Sequence, residues 1–223
     1  MNILRQNKQL HPIISISNFL SNFEINKILD LSKEKNYIEA AVGNELNKEE
    51  NHNLLTDHKI INPNQGVVKR TRETNLKWIS LDKNSNWLFK KIIECINEVN
   101  VNNYGYILKF VEDLQFAEYT SQTKGFYSKH IDCGDKYGIE NFVDIRKLSF
   151  SIQLSSPDEY EGGELKFYTG KKSLYTNMEE STVAKKEKGT IIFFPSFILH
   201  EVTPVIKGIR YSLVSWVQGP NLL

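Results

Sequence analysis

Cysteine, net charge, arginine and long apolar runs are all scarce in this chain of 223 residues. Cys95 and Cys133 are its two cysteines and form no CxxC pair, which excludes a disulfide framework or a cysteine zinc site and fits a reducing compartment. Lys and Arg total 28 against 27 Asp and Glu, a formal charge of +1, so nothing argues electrostatically for nucleic acid or a membrane surface as partner. No apolar run approaches a membrane span, and the opening MNILRQNKQLHPIISISNFL holds none long enough for a signal peptide, so a cytoplasmic protein is expected. Only 5 of the 28 basic residues are Arg. Each therefore deserves inspection, because Arg alone offers a planar bidentate fork.

What is present is an ordinary globular composition, 40% hydrophobic and 11% aromatic, in a length that suits one domain or slightly more. In SNFEINKILDLSKEK, Ser21 and Glu24 have capping-box spacing and Leu20 and Ile25 form a staple pair, so a helix starts at Ser21. Leu88, Ile92, Cys95, Ile96 and Val99 recur at helical spacing and predict a second helix over Ser85 to Asn100. Between them, Gly43 to Asn75 is polar, rich in Asn and without a period, which reads as loops with short strands. From Tyr104 the texture becomes β-like: YGYILKF, LQFAEY, RKLSFSIQLS, GELKFY, GTIIFFPS and GIRYSLVSWV. Such runs without intervening helices predict an antiparallel sandwich or barrel. Cys133 to Ile145 and Gly170 to Lys188 read as long loops of the kind that serve as binding loops or lids.

The residues that suggest chemistry are His130 and Asp132 in HID, His200 after FFPSFIL, and Arg210 and Ser212 in IRYS. In an extended segment residues i and i+2 share a face, so His130 and Asp132 can offer an imidazole and a carboxylate to one metal ion. Two imidazoles and one carboxylate are the facial triad of non-haem Fe(II) oxygenases, although such a set also serves catalytic zinc. Alternation places Arg210, Ser212 and Val214 on one strand face, where an Arg fork beside a hydroxyl would receive a carboxylate near the metal.

At these residues the chain resembles the Fe(II)- and 2-oxoglutarate-dependent oxygenases of the prolyl 4-hydroxylase-like group, particularly the bacterial and phage PKHD-type hydroxylases. The segments that carry the resemblance are LQFAEYTSQTKGFYSKHID, RKLSFSIQLS, YEGGELKFY and KGTIIFFPSFILHEVTPVIKGIRYSLVSWVQGP, spanning Leu114 to Pro220. It implies an α+β, mainly β fold: a double-stranded β-helix (jelly-roll) core over 104–223, with a helical and loop support region over 1–103 packed on one sheet, together one structural domain. It implies His130, Asp132 and His200 as iron ligands, Arg210 as partner of the distal carboxylate of 2-oxoglutarate, and Ser212 as its assistant. Tyr119 and Tyr127 match aromatic positions near cosubstrate or substrate, and Leu165 would form apolar wall. Gln153 stands where some related hydroxylases carry a Tyr that donates to the cosubstrate carboxylate. The implied cofactors are Fe(II), 2-oxoglutarate and O2, with ascorbate as a further candidate. The implied reaction is hydroxylation of a C–H bond with release of succinate and CO2, on a peptide or protein and plausibly on proline. Asp132 favours hydroxylation over halogenation, since related halogenases lack this carboxylate. The alternatives are an oxygenase of a small molecule and a non-catalytic jelly-roll module that binds a metal or a sugar.

The remaining histidines fit solvated surface better than a second site: His52 and His58 flank Asp57 in a polar stretch, and His11 has no partner nearby. Arg70 and Arg72, in VKRTRETNLKWI, either face the substrate entrance from the N-terminal part or belong to an exposed strand, and the exposed strand is the reading slightly favoured.

Overall fold

The computed structural model describes residues 12–33, 38–39, 59–61, 68–133, 144–172 and 179–221. The chain runs through β1 (Ile14–Ile16), α1 (Asn22–Lys33), β2 (Ile38–Glu39), β3 (Lys59–Ile61), β4 (Val68–Arg70), β5 (Arg72–Glu73), β6 (Asn75–Ile79) and α2 (Asn86–Val99). A single π turn, Asn100–Tyr104, follows. Then come β7 (Phe110–Val111), β8 (Leu114–Thr120), β9 (Phe126–His130), β10 (Asp144–Gln153), β11 (Tyr160–Gly162), β12 (Leu165–Lys172), β13 (Glu179–Val183), β14 (Ile191–Pro195), β15 (Leu199–Val202) and β16 (Val205–Pro220).

Two antiparallel sheets face each other. Among the described residues the larger has the order β1-β14-β10-β16-β8-β6-β2, with β7 and β11 also pairing with β16, and the smaller has the order β13-β12-β15-β9-β5. The alternation of side chains along each strand then divides the core in two. On β10, Leu148, Phe150 and Ile152 point to the helix side, where they meet Ile25 and Ile28 of α1 and Leu88, Ile92 and Ile96 of α2. Ser149, Ser151 and Gln153 take the other face, toward the second sheet. Between the sheets lies a smaller apolar cluster that includes Ala117, Tyr119, Leu165, Phe167, Phe194 and Val202. The helices therefore cover one face of the larger sheet and leave its other face for the site.

The helix starts follow their sequence signals. The Ser21 amide donates to Glu24 Oε2 at 2.8 Å and the Glu24 amide donates back to Ser21 Oγ at 3.3 Å, closing the capping box. Leu20 and Ile25 are both buried, as a staple requires. At α2 no side chain caps the helix; Ser85 Oγ donates instead to the Ser80 carbonyl at 2.7 Å.

Two expectations need correction. Of YGYILKF only Phe110 enters a strand, because Asn100 holds Tyr106 at both backbone groups, accepting its N–H at 2.9 Å and donating to its carbonyl at 2.8 Å. Tyr104 and Tyr106 stack in the same turn at 5.5 Å. The segment from Gly170 to Lys188 is not one long loop: β12 and β13 extend into it and pair with one another. Most of the expected loop 133–145 and the segments holding His11, His52, Asp57 and His58 lie outside the described residues. No described helix is long and apolar enough to cross a membrane.

Candidate active site

Pairing of β9 with β15 sets His130 directly opposite His200. Their rings lie 4.1 Å apart at 53°. Strand β9 ends at His130, so Asp132 sits in the turn beyond it rather than on the strand. That turn is fixed from the other sheet: the amides of Asp132 and Cys133 both donate to the Ser196 carbonyl, at 2.8 and 3.2 Å. The carboxylate is thereby brought to 3.5 Å from His130 Nε2 through one oxygen and 3.6 Å from His200 Nε2 through the other. One ligand atom from each of the three residues falls within 4.8 Å of the others.

The tautomers of the two imidazoles follow from what their other nitrogens meet. His130 Nδ1 is 2.7 Å from the Ser128 carbonyl and His200 Nδ1 is 2.8 Å from the Ile198 carbonyl. Each Nδ1 must donate, because a carbonyl only accepts, so a neutral ring presents its Nε2 lone pair to Asp132. Burial holds the His200 pKa down to about 4 and so keeps this ring neutral, with the Asp132 charge only partly opposing it. For Asp132 the order is reversed in effect: burial alone would raise its pKa, and the nearby His200 and His130 together with hydrogen bonding hold it well below the usual carboxylate range. The outcome is two imidazole Nε2 atoms and a carboxylate converging on one point, where Asp132 Oδ2 is buried without a hydrogen-bond partner. Two imidazoles and a carboxylate so arranged suit a divalent cation of intermediate softness.

A pH dependence follows for the metal-free protein. A histidine whose pKa is lower folded than unfolded contributes its stability above the unfolded value near 6.5 and loses it as pH falls toward the folded value. The midpoint of urea unfolding is expected to fall as pH is lowered from about 6.5 to about 4, the two values for His200. Bound metal, competing with protons for Nε2, should move that loss to lower pH.

Across the cavity, Arg210 is 1% exposed. Its Nη1 donates to Ser212 Oγ and its Nη2 to Gln153 Oε1, both at 3.2 Å, and its guanidinium lies 5.3 Å from the Tyr119 ring centroid. Its Nε is buried without a partner, and no carboxylate among the described residues forms an ion pair with it. The buried Tyr160 hydroxyl is close enough to feel its charge: burial raises the Tyr160 pKa, and Arg210 pulls it back through its charge and hydrogen bonding. The stem of Arg210 passes over Gly163, where φ is +57° and an added Cβ would stand 3.0 Å from Arg210 Cδ. Glycine is thus required there for its conformation and for the close approach alike. A fully buried, unpaired cation is costly, so a site of this construction is completed by an anion.

The residues singled out in the sequence come together here. His130, Asp132, His200, Arg210, Ser212, Tyr119, Tyr127 and Leu165 all line one cavity between the sheets. Gln153 does not line it and reaches it through Arg210. Tyr127 stacks on His130 with ring centroids 3.5 Å apart, and burial pushes its hydroxyl pKa up to about 12. Of the two readings of Arg72 the exposed strand is overturned: Arg72 is 8% exposed and lines the same cavity, because β5 pairs with β9 and sets Arg72 opposite Tyr127. The signal was available in the scarcity of arginine, which picked out Arg210 and applied equally to Arg72. The Arg70 side chain lies outside the described residues. Gln115 and Trp216, also in the lining, carry no local signal, since their facing depends on which sheet face the helices cover.

Comparison with known proteins is consistent across sequence and fold. Residues 114–218 match the family model described as the 2OG-Fe(II) oxygenase superfamily. A PKHD-type hydroxylase of Prochlorococcus marinus is 31% identical over 186 residues, covering 74% of this chain and 78% of that protein. A PKHD-type hydroxylase of a Synechococcus strain is 42% identical over 72 residues, which are 32% of this chain and 29% of that protein. Among solved structures, a Trichoplax adhaerens prolyl hydroxylase in complex with a hypoxia inducible factor peptide fragment superposes with a TM-score of 0.64 at 18% identity, covering 92% of this chain and 83% of that one. A Pseudomonas putida prolyl-4-hydroxylase gives 0.61 at 16% identity, covering 96% and 94%. A viral collagen prolyl hydroxylase from Paramecium Bursaria Chlorella virus-1 gives 0.60 at 21%, covering 93% and 96%. The two facing sheets are thus those of the double-stranded β-helix fold, with the helices on one sheet.

Proposed function

Because the chain belongs to the PKHD-type hydroxylases of the 2OG-Fe(II) oxygenase superfamily, we propose that it hydroxylates a C–H bond of a peptidyl residue, with proline as the first substrate to try. In this reading His130, Asp132 and His200 hold Fe(II), and Arg210 with Ser212 and Gln153 holds the distal carboxylate of 2-oxoglutarate. The single observation that carries it is the buried, unpartnered Asp132 oxygen facing two imidazole Nε2 atoms, in one cavity with a buried arginine that has no anionic partner among the described residues.

Iron and 2-oxoglutarate with O2 supply the oxidation: one oxygen atom goes to succinate as CO2 leaves, and the other enters the substrate C–H bond. The chain's own residues do the holding and orienting. The carbonyls of Ser128 and Ile198 keep both Nδ1–H groups engaged and so keep each Nε2 turned to the metal. Phe167 and Phe194, packed on His200 at 6.1 and 4.7 Å, limit its rotation and exclude water behind it. Leu165, Val202 and Val214 supply apolar wall that keeps the Arg210 end dry, where a charge pair is strong. A non-catalytic module would have no use for a buried guanidinium behind the triad.

The peptidyl substrate is supported by what the similar folds are named for, a hypoxia inducible factor peptide in one and collagen in another. Incubating the protein with Fe(II), 2-oxoglutarate, ascorbate and a proline-containing peptide library tests the proposal by mass spectrometry. A gain of one oxygen atom matched by succinate is expected. Succinate formed with every peptide unchanged would remove the peptidyl substrate, and no succinate at all would remove the activity.

A further inference from the structure

The cavity contains a second arginine that the triad and the cosubstrate site leave unused. Arg72 Nη2 donates to Gln115 Oε1 at 2.8 Å, and its guanidinium carbon lies 4.5 Å from the centroid of the Tyr127 ring. That ring in turn stacks on His130, so Arg72, Tyr127 and His130 form one column ending at the candidate metal. Arg72 Nε is buried without a partner, and no carboxylate among the described residues forms an ion pair with the side chain.

Packing alone gives a poor account of this residue. A neutral side chain would stack on Tyr127 without the cost of burying an unpaired charge, and Gln115 offers an amide oxygen rather than a counter-charge. The fork is pre-organised, with one face on an aromatic ring and one edge on an amide, which lowers the ordering cost of receiving an anion. Charge points the same way. The cavity lining holds two arginines and one carboxylate, Asp132, beside its two histidines. A divalent iron and a doubly negative 2-oxoglutarate cancel each other, which leaves one positive charge uncompensated among the described lining residues.

We propose that Arg72 is the receptor for a carboxylate of the substrate, so that the residue oxidised lies next to an acidic side chain or a chain-terminal carboxylate. This rests on the reading of the site given above and adds the chemical class of its substrate. Both sources present the same planar, singly charged group, which suits the two-pronged geometry of a guanidinium.

The test uses the full chain loaded with Mn(II) in place of iron and with 2-oxoglutarate, under conditions without turnover. Paramagnetic relaxation of probe protons reports occupancy beside the metal. Two matched pairs serve as probes: N-acetylproline with N-acetylprolinamide, and N-acetyl-Pro-Asp-amide with N-acetyl-Pro-Asn-amide. In at least one pair the acid is expected to bind about tenfold more tightly than the amide, equivalent to about 1.4 kcal/mol. The pair that shows the difference names the source of the carboxylate. Arg72→Gln should abolish the difference and Arg72→Lys should keep part of it, since a point charge remains without the fork. Equal binding of acid and amide in both pairs by the wild-type protein overturns the proposal, and that comparison needs no variant to fold. A preference that survives in Arg72→Gln overturns it as well. Failure of the wild-type protein to hold Mn(II) and 2-oxoglutarate, read from water relaxation before any probe is added, would instead defeat the assignment of the site itself.

Discussion

His200→Ala is expected to abolish succinate formation, by roughly three orders of magnitude or more, equivalent to about 4 kcal/mol in the barrier. The size of the effect follows from position. His200 is 5% exposed and supplies one of three convergent donor atoms, and among the described residues no further His, Cys, Asp or Glu joins them to take its place. Loss of an outer-shell partner alone costs about 10–100-fold in metal affinity or activity, and loss of a ligand exceeds that. The truncation also leaves space against Phe167 and Phe194, so some loss of stability should accompany it. The urea midpoint separates the two effects: a folded variant without turnover supports His200 as a ligand, whereas retained turnover removes it from the set.

Arg210→Met should give the second large effect, with opposite signs in two measurements. Methionine keeps most of the stem that packs over Gly163 and removes the charge. In the ligand-free protein Arg210 is buried and has no ion-pair partner among the described residues, so exchanging it for an apolar side chain should leave the melting temperature unchanged or raise it. Affinity for 2-oxoglutarate should fall on the order of a hundredfold or more, from about 3 kcal/mol for removing one partner of a buried charge pair. The iron requirement should change little. A purely structural arginine would behave the other way, losing stability on substitution while leaving 2-oxoglutarate binding intact.

Much of this was legible in the sequence because it rests on local rules. The capping box at Ser21 and the helical spacing from Leu88 to Val99 are set within a few turns of chain, and the structure forms both helices there. The alternation along β10 separates Leu148, Phe150 and Ile152 from Ser149, Ser151 and Gln153 with no knowledge of the partner strands. The site was legible in kind, since the residue types at 130, 132, 200 and 210 each carry recognisable chemistry. Its assembly was not, because His130 meets His200 only through the β9–β15 register, and Asp132 reaches both only through its hold on Ser196. The choice between entrance and exposed strand at Arg72 went the wrong way for the same reason. A two-residue strand has too little pattern to show its inward face, and the pairing that buries it lies more than fifty residues away in sequence, at Tyr127. Tyr104 to Lys109 failed differently: β-type residue composition was overridden by the side-chain bonds of Asn100.

The central claim is that His130, Asp132, His200 and Arg210 together hold iron and 2-oxoglutarate in one cavity. Visible absorption of the wild-type protein under anaerobic conditions tests it most directly. Fe(II) and 2-oxoglutarate added together should produce the weak charge-transfer band of the chelated complex, absent when either is added alone. No band with both present at saturating concentration would contradict the assignment.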